Sequence, residues 1–288
     1  ESVLRGGLSE LETIDVSSYH AKGSVESDGS FEIDEVSISE RAKNRGLRAL
    51  GTLGSGNHFL ELQRVSEIAD EETSKSWGVE SDQVIAMIHS GSRGLGHQVC
   101  SDHIHELEMR LKQRNGAWVD EEWGYELPDR QLAAAPIHSK QGQAYLNEMK
   151  AAANYAFANR AVLAHRLFLG LKAELGDVVD LTTIYDVSHN IAKIEDHTIH
   201  GANCTCVVHR KGATRAFSGD QMKSHDVFKR TGQPVLVPGD MGRGSWIMAG
   251  PVNGQNLAFG SACHGAGRAM SRTVARKTID PDVQKSVL

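Results

Sequence analysis

What this chain lacks narrows its class before any motif is read. No apolar run approaches the roughly 20 residues that a bilayer-spanning helix needs, so no membrane partner is expected. Cysteine is scarce. Cys100, Cys204, Cys206 and Cys263 make no spaced framework, which points to a reducing compartment and a cytoplasmic setting. Positive charge is not in excess: 31 Lys and Arg against 37 Asp and Glu leave a net charge of −6. Any polyanion must therefore be held by a local basic cluster rather than by the field of the whole molecule. Neither a GxxxxGK[ST] phosphate loop nor a GxGxxG dinucleotide fingerprint occurs, which sets aside the ordinary P-loop NTPase and Rossmann readings. The sequence opens at Glu1 with neither initiator methionine nor signal peptide, and material upstream of it is expected.

What is present is 288 residues, 40% hydrophobic and 24% charged, enough for one large globular domain or two ordinary ones. No repeat or low-complexity linker marks a boundary. The expectation is a single compact α+β domain over 46–288, with mixed or antiparallel sheets flanked by helices. A polar, serine-rich segment at 1–45 precedes it and reads as a surface β-hairpin or loop. Helices are expected over 98–112 and 142–173; in the second, Leu146, Met149, Ala153, Phe157, Val162 and Leu167 recur near helical spacing. Short apolar strands are expected at 59–62, 84–88, 178–185, 204–209, 234–237 and 245–249.

The chemistry concentrates at glycine-punctuated turns. Ser261-Ala262-Cys263-His264-Gly265-Ala266-Gly267-Arg268 sets an imidazole before a turn whose backbone N–H groups can cradle a phosphate and whose arginine can clamp it. A histidine in that place is suited to attack phosphorus and carry the group covalently. His58 follows Gly54-Ser55-Gly56-Asn57, His89 precedes Ser90-Gly91-Ser92-Arg93-Gly94, and His189 lies in Asp186-Val187-Ser188-His189-Asn190. Taken singly, each is an ordinary polar residue at a strand end. Together, beside small residues, they suit convergence on a metal, and spacing alone leaves the two readings level.

Basic residues follow the same habit. The run from His209 to Arg215 carries Arg210, Lys211 and Arg215; it reads either as a solvated turn or as a phosphate clamp. The glycine-rich stretch from Pro238 to Ser245, with Asp240, Met241 and Arg243, is a second such turn or an ordinary loop. Arg268, Arg272 and Arg276, with Lys277 beside the last, would form one stripe on a helix, as a nucleic-acid backbone track requires. A zinc knot from His200, Cys204, Cys206 and His209 competes with a half-buried strand that turns both thiols to one face, and the strand is favoured. His103 and His105 are expected to face solvent. Acyl transfer through Ser261 or Cys263 would need an oriented acid–base partner that the sequence does not offer.

These motifs together resemble a known family. GTLGSGNHFLEL (51–62), HSGSRGLGHQVC (89–100), LPDRQLAAAPIHSKQGQAYL (127–146), DVSHNIAK (186–193), HRKGATRAF (209–217), VPGDMGRGSWIM (237–248) and SACHGAGRAMSR (261–272) are similar, in content and order, to the RtcB-type RNA-splicing ligases. The resemblance implies an RtcB-like fold and a GTP- and Mn²⁺-dependent ligase, with two metal ions in the family. Such an enzyme joins RNA ends bearing a 3′-phosphate or 2′,3′-cyclic phosphate to 5′-hydroxyl ends, in tRNA splicing or RNA repair. RNA (tRNA halves or cleaved RNA) and GTP are the implied partners, with room for an accessory protein.

Residue by residue, the resemblance implies guanylylation of His264 and metal ligation by His58, His89 and His189. It implies nucleotide contacts at Asn57, Glu61, His189, Asp240, Met241 and the His264-Gly265-Ala266-Gly267-Arg268 turn, and support beside the metal from Asn190. Arg93, Arg210, Lys211 and Arg268 match phosphate or RNA contacts. The family's upstream Asp–Cys metal motif is not found before residue 46, and its C-terminal lysine has no counterpart before Leu288. Two further functions stay open on that account: a non-catalytic nucleotide- or RNA-binding homologue, and a metal-dependent phosphoesterase.

Overall fold

The computed structural model describes residues 1–11, 14, 23–33, 36–239, 243–254, 258–265, 270–280, 282, 283 and 286. Its helices are α1 (Ser2–Gly6), α2 (Glu40–Leu47), α3 (Glu71–Ser76), α4 (Arg93–Arg110), α5 (Lys140–Leu175), α6 (Phe228–Thr231) and α7 (Arg272–Thr278). Its strands are β1 (Phe59–Arg64), β2 (Val84–His89), β3 (Lys112–Arg114), β4 (Ala117–Asp120), β5 (Tyr125–Leu127), β6 (Asn190–Ile199), β7 (Ala202–Lys211), β8 (Ala213–Arg215), β9 (Pro234–Val237), β10 (Trp246–Ala249) and β11 (Ser261–Cys263). Every strand pair among the described residues is antiparallel. The α+β class with antiparallel sheets and helices is therefore the fold observed. Contacts gather into two compact units: unit 1 is 1–65 with 82–183, and unit 2 is 66–81 with 184–288.

Unit 1 is organised by α5. Ser139 caps it, its Oγ accepting from the Gly142 amide at 3.0 Å, and Gly176 at φ 78° ends it. The long alanine-rich stretch favours helix, and bulky residues on it supply the core: Phe157 is fully buried, with Leu146, Val162 and Leu163 close behind. Burying one such side chain contributes about 2–3 kcal/mol. Two apolar clusters lie along it. One joins Leu4, Ile38 and Ala42 to Leu95, Val99 and Tyr155; the other joins Leu8, Leu11 and Val25 to Phe157, Ala161 and Val162.

The reading of 1–45 as a surface β-hairpin or loop needs correction in one respect: several of its described residues are buried against α5. Among its described residues none pairs in a strand ladder; α1 and 3₁₀ turns at Gly7–Glu10 and Glu26–Gly29 carry widely spaced leucines and valines onto α5. Fully buried Asn154 secures the segment: its Oδ1 accepts from the Phe31 amide at 2.7 Å, and its Nδ2 donates to the carbonyls of Leu4, Arg5 and Phe31. His103 is a second correction. It is buried on α4, 3.2 Å from Glu148 of α5, whereas His105 is exposed as expected.

Unit 2 is built on the β6–β7 hairpin, two ten-residue strands in continuous register from Asn190↔Lys211 to Ile199↔Ala202. The stretch 178–185, expected as a strand, forms none, and the first strand of the unit begins instead at Asn190. Residues 66–81 join this unit through Trp77. Its indole N–H donates to Thr231 Oγ1 at 3.0 Å and its ring meets Phe228 edge-on, as does Tyr185. No helix among the described residues is long and apolar enough to cross a membrane.

Candidate functional site

In unit 1 the antiparallel register sets the first pair of histidines. Phe59 pairs with His89, so the turn that precedes β1 meets the turn that follows β2. His58, one residue before the strand, comes to 6.0 Å from His89 between ring centroids, and Phe59 lies edge-on to His89 at 5.1 Å. Alternation puts Glu61 on the same hairpin face as His89. Glu61 is half-buried and its Oε2 accepts from Gln63 at 2.8 Å, whereas Asn57 stands exposed in the turn.

Arg93 opens α4 in the left-handed region at φ 55° and turns its guanidinium back onto this pair. Its Nη1 is 2.6 Å from His58 Nδ1, and its Nε donates to Thr52 Oγ1 at 3.3 Å. Gly54 makes the approach possible. At φ 103° it adopts a conformation that side chains disfavour, and a Cβ there would overlap the guanidinium. Burial first, and then the Arg93 charge, hold His58 below the usual histidine value. A neutral imidazole is the form that ligates a metal. Because a guanidinium only donates, Nδ1 accepts and the ring proton sits on Nε2. Taking up a cation therefore requires Arg93 or that proton to leave.

In unit 2 three chain segments meet around Gly212. His189 precedes β6, Gly212 links β7 to β8, and His264 follows β11, whose Cys263 pairs with Ala213. The His189 and His264 rings lie 4.5 Å apart between centroids, tilted at 60°. The Gly212 amide donates to the His189 carbonyl at 3.0 Å and to Asn190 Oδ1 at 3.1 Å, so Asn190 latches the histidine turn to the end of β7. Gly212 has φ 67°, and a Cβ on it would sit 3.3 Å from His264 Nε2. Lys211 is exposed beside this point. Gly265 is half-buried, near the Pro238 carbonyl.

Arg210 differs from its expectation as a phosphate contact. It is buried, with Nη1 and Nη2 bidentate on Glu195 at 2.7 and 2.8 Å, Nε on Ser261 Oγ at 2.9 Å, and Nη2 also on the Phe259 carbonyl at 2.8 Å. That leaves no exposed fork for a phosphate. His197 adds a bond to Glu195 at 3.0 Å. Burial pushes the Glu195 carboxyl up, but the bonds from Arg210 and His197 outweigh it and hold the group below its ordinary range. The network anchors the start of β11, three residues before His264. Sequence reasoning missed Glu195 and His197; the inward alternation of β6 was the available signal.

The zinc-knot alternative is not assembled. His200 sits in the hairpin turn and His209 on the exposed face, while Cys204 and Cys206 share the inner one. Among the described residues no three His, Cys, Asp or Glu side chains form a metal-holding group. Within each unit the structure thus brings together two of the expected residues: His58 with His89, and His189 with His264. As nitrogen donors the first pair suits a divalent transition metal in kind, as part of a ligand set. Asp240, Met241, Ala266, Gly267, Arg268 and the side chain of Arg272 lie outside the described residues. Arg276 and Lys277 are exposed on α7.

Comparison with known proteins bears on this arrangement. The family model described as tRNA-splicing ligase RtcB matches residues 2–287. A protein of Methanococcus maripaludis named tRNA-splicing ligase RtcB is 48% identical over 249 residues, covering 85% of this chain and 50% of that protein. Its namesake in Archaeoglobus fulgidus is 45% identical over 254 residues (87% and 51%), and the one in Pyrobaculum aerophilum 45% over 263 residues (89% and 52%). The chain belongs to the RtcB family. It spans about half the length of each of these three relatives.

Proposed function

We propose that this chain carries the nucleotidyl-transfer centre of a GTP-dependent RNA ligase, with His264 as nucleophile. The observation that carries the reading is the placement of His264 over Gly212 and 4.5 Å from His189. Removing a Cβ beside an imidazole leaves room for a tetrahedral phosphate to reach it.

A nitrogen lone pair of His264 attacks the α-phosphorus of GTP. The N–P bond forms as the bond to pyrophosphate breaks, and the second ring nitrogen carries the resulting charge until its proton is lost. An RNA 3′-phosphate oxygen then takes GMP from the histidine. The 5′-hydroxyl attacks that activated phosphorus, forms the phosphodiester and releases GMP. With a 2′,3′-cyclic end, water first opens the ring to the 3′-phosphate. Mn²⁺ held by His58, His89 and His189 would neutralise charge on the triphosphate and favour departure of pyrophosphate.

The chain's own groups supply the rest. His58, His89 and His189 are the proposed nitrogen ligands. Asn57, Glu61, Asp240, Met241 and the residues from Gly265 to Arg268 are proposed to seat the nucleotide. Lys211 and Arg93 are assigned to phosphate contacts. The whole centre is proposed to serve tRNA halves or cleaved RNA in the cytoplasm, with an accessory protein as a further partner.

The test is intact-mass and peptide-mapping analysis after incubation with GTP and Mn²⁺. A GMP-sized adduct on His264 is expected, absent in His264→Ala. Retained GTP or RNA binding with no adduct would favour the binding-homologue reading. A His264→Ala variant that still opened cyclic phosphates would favour the phosphoesterase.

A further inference from the structure

Helix α5 carries two asparagines in mid-helix, Asn154 and Asn159, both with no solvent exposure. A buried carboxamide is costly unless its groups are hydrogen-bonded, and mid-helix asparagine is a poor helix former. Each therefore needs a partner outside the helix. Asn154 finds its partners in the N-terminal segment. Asn159 finds them in the segment leading into the His58 turn and in the turn that follows His89.

Its Oδ1 accepts from the amides of Gly51 and Thr52 at 2.7 and 3.2 Å. Its Nδ2 donates to the Thr52 carbonyl at 3.3 Å, and to Ser90 Oγ and the Gly91 carbonyl at 3.1 Å each. Ser90 Oγ in turn donates to the Leu53 carbonyl at 2.9 Å, tying one turn to the other. Arg166, two turns further along α5, donates to the Gly51 carbonyl at 2.6 Å. Gly51 is at φ 70°, and a Cβ on it would press into Val162 of the same helix. The chain six and seven residues before His58 and the two residues after His89 are thus fixed to one side chain.

We propose that Asn159 is a positioning residue that holds the His58 turn and the His89 turn in a common frame. Its amide oxygen binds only the 51–52 segment, its amide nitrogen binds chiefly the 90–91 turn, and the separation of the two imidazoles follows from both. The consequence for cation binding rests on the reading of these histidines as metal ligands. The clamp itself does not.

Hydrogen–deuterium exchange tests the clamp directly, with Asn154→Ala as control because it breaks a comparable set of buried bonds elsewhere on α5. In the wild type, the Gly51 and Thr52 amides should be protected to the level of the centre of α5. Asn159→Ala should accelerate exchange at 51–53 and 90–92 together, whereas Asn154→Ala should act near residues 4–5 and 31. Asn159→Asp, which keeps the acceptor and loses the donor, should release 90–92 more than 51–53. Unprotected Gly51 and Thr52 amides in the wild type, or equal loosening of both turns by Asn154→Ala, would overturn the proposal without requiring any variant of Asn159 to fold.

Mn²⁺ binding followed by electron paramagnetic resonance supplies the functional readout. A rise in Kd of about tenfold or more is expected for Asn159→Ala, with little change for Asn154→Ala, as for supporting groups behind metal ligands. Unchanged Mn²⁺ affinity in a folded Asn159→Ala would sink the positioning role. A wild type that binds no Mn²⁺ would remove the metal reading and leave the exchange result to decide the clamp.

Discussion

Removing Arg210 separates two roles for the same residue. A phosphate contact would be dispensable for folding, whereas the structure makes Arg210 half of a buried ion pair with side-chain exposures of 1% for it and 6% for Glu195. Replacing it with methionine keeps apolar volume and strands the Glu195 carboxylate in the interior with the His197 bond and the more distant Arg215 charge. Breaking one side of such a pair costs about 3–5 kcal/mol, against at most about 1 kcal/mol for an exposed pair. Part of that loss, about 1 kcal/mol for each bond, belongs to Ser261 Oγ and the Phe259 carbonyl, which also lose their donor.

Glu195→Met should cost a similar amount by stranding the guanidinium. The double variant, with neither charge left, should lose no more than either single, a coupling of about 3 kcal/mol. Urea unfolding followed by circular dichroism, with slopes compared across the four proteins, measures this cycle. Additive singles of less than about 1 kcal/mol each would refute the argument and return Arg210 to the phosphate-contact role.

The same pair sets an acid limb. Glu195 is held below its ordinary value of 4.5 by the bonds from Arg210 and His197, in spite of burial. A carboxyl whose folded value is depressed adds stability that is present above the unfolded value. That contribution disappears as pH falls through the lower folded value. Wild type should therefore lose stability below about pH 4.5 more steeply than the double variant, which has no carboxyl at 195.

Three further outcomes are expected. Gly54→Ala should destabilise the chain by about 1–2 kcal/mol in urea, since φ 103° disfavours a side chain. It should also shift the His58 ring resonances as Arg93 is pushed away; unchanged resonances would count against the Arg93–His58 contact. Gly212→Ala should cost about 1 kcal/mol through its φ of 67° and cut formation of the GMP adduct while the fold is retained. An undiminished adduct would show that the space beside His264 is not used. Tyr155, whose hydroxyl donates to the Gly46 carbonyl at 2.7 Å, is pushed up to about 12 by burial. In an alkaline ultraviolet titration Tyr155 should stay unionised at pH 11, so Tyr155→Phe should lower the number of tyrosines still protonated there by one, and should also lose about 1 kcal/mol.

Local pattern made some of this fold legible and long-range pairing hid the rest. The period of apolar residues bounded α5 to within two residues at each end, 142–173 against Lys140–Leu175. Strand β9 was bounded correctly by a short apolar run between turns. The burial of the N-terminal segment was missed because Leu4, Leu8, Leu11, Val25 and Ile38 are scattered through polar sequence and show no period of their own. Their common partner is α5, more than a hundred residues away. Asn154 and Asn159 were passed over for the same reason: nothing next to them in sequence says what a buried carboxamide on that helix would hold.

The misreading of Arg210 is more instructive, because its signal was present. The strand expected at 204–209 continues two residues further, to Lys211. Continued alternation sends Cys204, Cys206, Val208 and Arg210 inward and Thr205, His209 and Lys211 outward, as the burial shows. Once the strand extends past His209, Arg210 must be a buried cation and needs a buried anion on the facing strand. Glu195 occupies the inner face of β6, with Ile191, Lys193 and His197. The run from His209 to Lys211 was therefore not a patch of equivalent charges but two faces of one strand. Lys211 is left outside, next to Gly212, and is the residue of that run to which the proposed function assigns a phosphate.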